Sequence, residues 1–415
     1  MQPAKALLPQ GGFDAERLLA PQEAIAAFFA RFSRPHLAVE TVALEDSWNR
    51  ILARDVVADA DYPNAPRSSM DGFAIAANGT PGTFRIGGDV RMGHGEAARV
   101  QTGTAARIPT GGVVPPGADA VVPIEDVRGD GESIHVDAPV AAGDCVVQSG
   151  SDMRAGEPLL SAGRRVGAAE AGVLATLGIT EVAVYRRPVF GVVSTGDELV
   201  PPDVSPPPGR IRDSNRFAVG AALRAMGANV SFAPGIVPDV PGALQAAIAA
   251  LLKDCDGVVV TGGSSVGERD LTPDAVRALG EPGVIVHGLR VKPGKPTVLG
   301  AVGEKPVIGL PGNPASALTI AQTVAAPIVA ALTGASSWLP ATVAATLDEA
   351  VESRSGWTWY VPVALKDGGN GRLAHPLALR SSSASLTARA DGYVVMGPAE
   401  DAWPAGTPVA VHRFL

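Results

Sequence analysis

The chain is poor in cysteine, in aromatic residues and in charge. Cys145 and Cys255 are the two cysteines in 415 residues. Two thiols so far apart exclude a disulfide framework and offer no metal-ligand spacing, so they read as ordinary cytosolic thiols. Aromatic residues make up 5% and charged residues 18%, against 46% hydrophobic. That balance supports a sizeable core and excludes wholesale disorder. The net charge is −8 and no basic run is present, whereas a nucleic-acid role needs a local basic stripe. The N-terminal segment lacks the basic flank and apolar core of a signal peptide, because Asp14, Glu16 and Arg17 interrupt it. The most membrane-like run, Leu318 to Ala331, is short and contains Gln322 and Pro327, which reads as a buried helix rather than a span. The expectation is a soluble, cytoplasmic protein that binds neither nucleic acid nor membrane.

Glycine (49) and proline (36) are abundant instead, which predicts many turns and short strands. The length fits two to four domains. Pro21 to Phe32 has helical spacing of Ile25, Phe28, Phe29 and Phe32, and His36 to Val57 reads as a strand followed by a short helix over Leu44 to Leu52. Residues 58–149 read as an inserted β domain, with strands at Phe84–Ile86, Ala98–Val100, Ala120–Ile124, Ser133–Val136 and Cys145–Val147. Inside it Arg107 to Ala120 reads as a loop that carries Thr110, either a plain turn or one that presents the hydroxyl to a ligand. Gly167 to Leu177 reads as a helix ended by Gly178, and Val182 to Tyr185 as a strand. Residues 1–57 with 150–187 are therefore expected to form one discontinuous, partly helical domain.

From Pro188 the pattern becomes β-α-β-α. Strands are expected at Val189–Val193 and Asn229–Val237, and helices from Asp213-Ser214-Asn215 to Met226 and from Pro241 to Lys253. Residues 188–334 thus predict a doubly wound, mostly parallel sheet with helices on both faces. Short β-like runs follow in 335–415, a small C-terminal β domain.

The most informative stretch runs from Gly257 to Ser316. It reads GVVVTGGSSVGERD, then VIVHGLRVKPGKPTVLG, then PVIGLPGNPAS. Apolar strands end in loops of glycine, proline and polar groups, with Thr272 read as a helix cap and Pro273 at the first helical position. Strand, Gly-rich loop and helix start make a site for an anionic group. Lys292 and Lys295 are set among prolines in KPGKP, a stiff presentation of two cations. In an open α/β sheet such loops gather at the carboxyl ends of the strands. Glu198, Asp239 and Asp270 are expected on that same edge, where carboxylates beside lysines can hold Mg²⁺ against a phosphate. Each acid has a plainer alternative as a solvated loop residue or a helix cap. For Asp239, which precedes Pro241, the two readings weigh equally. His94, His287 and His375 show no pairing pattern and receive no role.

The runs STGDEL at 194–199, TGGSSVGERD at 261–270, KPGKP at 292–296 and LPGNPAS at 310–316 closely resemble the molybdopterin molybdenumtransferase family, MoeA and the E domain of gephyrin. SSMDGFA at 68–74 and RIPTG at 107–111 fit the same family. The resemblance implies an elongated homodimer of four-subdomain chains that inserts molybdate into adenylylated molybdopterin and releases AMP. It implies molybdopterin adenylyltransferase and molybdoenzymes as partners. Asp71, Thr110, Glu198, Asp239 and Asp270 match its active-site positions, with Asp71 and Thr110 reaching across from the partner subunit. Glu198 and Asp270 would hold the metal. Thr195, Gly262, Gly263, Ser265, Gly267, Pro311, Gly312, Asn313 and Pro314 would face the pterin nucleotide. Lys292, Lys295, Ser316, Arg380 and Ser381 would face molybdate.

Several positions depart from the family pattern. Pro66 replaces an aspartate, Val147-Gln148-Ser149 an arginine-rich stretch, and Gly288 a lysine, with Arg290 nearby. An arginine of the C-terminal domain falls on Pro362, and a Gly-Ser-His-like segment reads Arg380-Ser381-Ser382. These changes thin the positive charge around molybdate. They motivate an alternative, a non-catalytic carrier or chaperone that binds the cofactor, and behind it a dimeric scaffold.

Overall fold

The computed structural model describes residues 18–32, 38–93, 99–262, 271–336, 340–369, 371–378 and 381–414. The chain divides into two compact units: residues 54–162 with 168–180, and the remainder.

In the larger unit, six strands form the α/β sheet: β1 Val189–Ser194, β2 Asn229–Phe232, β3 Gly257–Thr261, β4 Pro282–His287, β5 Val298–Val302 and β6 Lys305–Leu310. Their spatial order is β2-β1-β3-β6-β5-β4. The pairs β1/β2, β1/β3 and β3/β6 are parallel, and β5 runs antiparallel between β6 and β4. The mostly parallel expectation holds, and β5–β6 is an added hairpin. Because β4 points the same way as β6, the loop that follows β4 opens on the same edge as the ends of β1, β3 and β6.

The strands are buried on both faces, as a parallel sheet under two helical layers requires. Val192, Val259 and Ile308 face one layer with Ile320, Val324 and Ile328 of the helix Pro314–Thr333. Val193, Val258, Val260 and Val307 face the other with Leu244, Ile248 and Val276. The helix Pro314–Thr333 is long and apolar enough to cross a membrane, but 78% of its most apolar window is buried within the protein. It widens to a π-turn over Ala321–Ala325 ahead of Pro327, where a missing N–H would otherwise break the ladder.

Five further strands follow: β7 Thr342–Leu347, β8 Thr358–Gly368, β9 Gly371–Pro376, β10 Gly392–Met396 and β11 Pro408–Arg413. They pair in the order β8-β9-β7-β11-β10, and β8 also pairs with β10, which closes a small barrel. Val363, Ala374, Met396 and Val411 fill it. The two-residue strand Val291–Lys292 joins β8 in parallel, Lys292 opposite Trp359.

The smaller unit carries a mixed six-stranded sheet over Gly72–Val136. Gly72 is obligatory there, since a Cβ would lie 2.0 Å from the Val122 carbonyl oxygen.

Five local expectations change. The helix over Leu44–Leu52 reduces to a 3-10 turn at Leu44–Asp46, since Asn49 has φ +59°, a value no helix carries. Arg99 and Val100 are not in a strand and Ala98 lies outside the described residues. The strand there is Thr104–Ile108, whose end the sequence predicts as loop. The run from Asn229 stops at Phe232 because Pro234 has no donor to offer; Val237 resumes with one bridge to Thr195. Thr272 is not a cap: the helix starts at Leu271, and the buried Thr272 hydroxyl finds no hydrogen-bond partner among the described residues. His375 is paired, its Nδ1 3.1 Å from Asp348.

Candidate active site

The ends of β1, β3 and β6 meet at their carboxyl edge. Thr195 continues β1 and is fully buried. Its hydroxyl lies 3.0 Å from the Val237 carbonyl and 2.9 Å from Asp239 Oδ1. The Asp239 N–H in turn donates to Asp197 Oδ1 at 3.1 Å. Asp239 is therefore tied to the β1 loop by its side chain and its backbone. Glu198 folds back over Gly196, where a Cβ would come within 2.6 Å of Glu198 Oε2.

Gly262 follows β3 with φ +91°, and a Cβ on it would stand 2.1 Å from the Thr195 carbonyl oxygen. Gly312 follows β6; a Cβ there would meet the Gly262 Cα at 3.6 Å. The Gly312 carbonyl accepts a 2.7 Å hydrogen bond from Asn215 Nδ2. Three strand tips thus close on one another through glycine, and this leaves backbone groups where a ligand can approach.

The loop after β4 brings the lysines to the same edge. Gly288 N–H bonds the Thr297 carbonyl, Leu289 N–H the Lys295 carbonyl, and the Thr297 hydroxyl the Gly294 carbonyl. Gly294 has φ +118° and packs so close to Ile320 that a Cβ would lie 2.2 Å from its Cδ1. Lys292 and Lys295 line a cavity of about 520 Å³ together with Pro311, Gly312, Asn313 and Ser316. The barrel supplies the opposite wall: Arg354, Trp357, Trp359 and Ser381. Ser381 joins the walls, because its carbonyl accepts from Ala315 N–H and its hydroxyl from Asn313 Nδ2, each at 3.2 Å. No acid lines this cavity among the described residues.

Asp71 and Thr110 come together in the smaller unit. Asp71 Oδ1 accepts from the Thr110 N–H at 2.7 Å and from its hydroxyl at 2.9 Å. The backbone bond first, then the hydroxyl bond, holds the Asp71 carboxyl below its ordinary value. Gly263, Ser265, Gly267, Asp270 and Arg380 lie outside the described residues. Among those described, no group of three or more His, Cys, Asp or Glu side chains is placed to hold a metal ion. Arg290 does not stand in for the lysine missing at Gly288: its Nη2 is turned to Glu23 Oε2 at 3.3 Å.

Sequence reasoning overlooked Arg354, Trp357 and Trp359. A signal was present, since two tryptophans two residues apart at a strand start share one face. Asn215, which local sequence marks only as part of a helix cap, bonds the Gly312 carbonyl.

The tips of a doubly wound sheet, closed by glycines and flanked by lysines, define an α/β protein whose strand ends suit an anionic ligand. The MoeA N-terminal region (domain I and II) family matches residues 19–178. The family described as Probable molybdopterin binding domain matches residues 191–331. A molybdopterin molybdenumtransferase of Bacillus subtilis is 32% identical over 400 residues, 90% of this chain and 89% of that protein. One from Nostoc sp. is 33% identical over 313 residues, 72% of this chain and 71% of that protein. The crystal structure of a molybdopterin biosynthesis MoeA protein from Pyrococcus horikosii superposes with a TM-score of 0.74 at 32% identity, covering 96% of this chain and 99% of that one. The chain belongs to the molybdopterin molybdenumtransferase family, transferases of molybdenum cofactor biosynthesis.

Proposed function

We propose that this chain inserts molybdate into adenylylated molybdopterin and releases AMP. The observation that carries the reading is the 520 Å³ cavity with Lys292, Lys295, Ser316 and Ser381 on its walls and no acid among its described lining. A dianion entering it meets ammonium groups and hydroxyl donors, with no like charge among the described lining residues. A cavity in the range of a small-molecule site exceeds the needs of a four-oxygen ion, which leaves space for the reacting end of the pterin. In this reading Lys292 and Lys295 collect molybdate, Ser316 and Ser381 orient it, and the backbone at Thr195, Gly262 and Gly312 receives the nucleotide phosphate.

The reaction also calls for Mg²⁺. Mg²⁺ ordinarily takes one or two carboxylates and completes its shell with phosphate oxygens and water. Glu198, folded back over Gly196 on the loop beside the phosphate site, is a hard oxygen donor, and a single carboxylate of this kind suits it. Glu198 would hold the ion, with Asp270 as second ligand by family resemblance. The ion, when bound, screens the phosphate charge. The protein works in this reading as a cytoplasmic homodimer in which Asp71 and Thr110 serve the partner's site. It receives substrate from molybdopterin adenylyltransferase and passes its product to molybdoenzymes.

The test is an incubation of purified protein with adenylylated molybdopterin, Mg²⁺ and molybdate. Molybdate-dependent AMP release supports the transferase. Tight pterin binding without AMP release, unchanged by Glu198→Ala, points instead to the carrier.

A further inference from the structure

Two cations on the cavity wall rest on indoles. Lys292 Nζ lies 3.9 Å from the Trp359 ring centroid, and Arg354 Cζ lies 5.6 Å from that of Trp357. Both fall inside the roughly 6 Å reach of a cation–π contact. Neither cation makes an ion pair with an acid among the described residues, whereas the neighbouring Arg290 is paired with Glu23. The difference bears on charge. A carboxylate partner cancels a cation's field, while an indole attracts it through a quadrupole and adds no net charge. The cations are thereby fixed in place with their positive potential still directed at whatever enters. The backbone enforces the arrangement on the lysine side, since Lys292 and Trp359 are register partners. Arg354 stands a few residues before β8, the strand that carries Pro362 where the family resemblance places an arginine. A guanidinium can engage two oxygens of a tetrahedral anion at once.

We propose that Arg354 is a third oxyanion-binding cation of this pocket, and that Trp357 and Trp359 are positioning residues that hold Arg354 and Lys292 over it uncancelled. The inference rests on the oxyanion reading above and extends it to the barrel wall. Molybdate alone, titrated calorimetrically into the purified full-length protein, tests it. Arg354→Gln is expected to weaken molybdate binding about tenfold or more. Trp359→Leu and Trp357→Leu are each expected to weaken it by about threefold to tenfold, with the phenylalanine variants recovering most of the loss. AMP binding and the melting temperature of Arg354→Gln, an exposed position, should not move. Wild-type affinity in Arg354→Gln, alongside lost binding in Lys292→Gln, overturns this inference and leaves the oxyanion reading intact. Phenylalanine variants as weak as the leucine ones overturn the positioning role. A wild-type protein that binds no molybdate overturns both readings.

Discussion

The two walls of the cavity reach a similar electrostatic result by different means. On the sheet side, backbone geometry does the placing: glycines at 262, 294 and 312 let strand tips and a lysine loop close to within contact distance. On the barrel side, large side chains do it, with two indoles carrying Lys292 and Arg354. A wall built from backbone tolerates little change at Gly262 and Gly294. A wall built from side chains can exchange one cation for another. That contrast suits a chain whose loop motifs match its family while its barrel departs from it at Pro362.

The largest effect is expected from removing the cation that both walls share. Lys292→Ala should lower molybdate-dependent AMP release by about 100-fold or more in kcat/KM, well beyond the loss in Arg354→Gln. Equal losses would erase the distinction between a primary and a supporting cation.

Gly262→Ala probes the backbone wall. A Cβ there collides with the Thr195 carbonyl at a φ of +91°, so urea denaturation should show a loss of about 1–3 kcal/mol. The same measurement on Trp359→Phe should show a smaller change. Thr195→Val removes the buried hydroxyl set between Val237 and Asp239. It is expected to cost about 1 kcal/mol in the same assay.

The smallest effects concern pH. Burial holds the His412 imidazole below its ordinary value of 6.5, against the Tyr393 ring 5.3 Å away. A base whose folded value is depressed takes up its proton more readily when unfolded. The barrel should therefore keep full stability above pH 6.5 and lose some as pH falls below it, and His412→Gln should flatten that slope in thermal melts. Asp71 acts in the same direction at lower pH. Its Thr110 bonds depress a carboxyl below 3.8, so their contribution is present above that value and fades as pH falls through the folded one. A carbon-detected NMR titration of Asp71 would follow this, with Thr110→Ala returning it toward 3.8.

Much of the sheet edge was legible from sequence because its chemistry is local. A strand of valines followed by Thr-Gly, or Lys-Pro-Gly-Lys-Pro, announces its geometry within a few residues. The doubly wound sheet followed from alternating apolar runs and helical spacing. What escaped depended on distant pairing. Thr104–Ile108 is a strand because Gly72–Ala74 pairs with it, which no local period reveals. The role of Trp359 depends on a register with Lys292, far upstream in the chain. The state of Arg290, beside Gly288 in sequence, depends on Glu23, which engages it from a helix near the N-terminus.

Anomalous diffraction at the molybdenum edge, from crystals soaked with molybdate and AMP, addresses the oxyanion pocket directly. The expected result is a molybdenum peak within hydrogen-bonding reach of Lys292, Lys295 and Ser316. A peak at any other site, with that cavity empty at saturating molybdate, would contradict it.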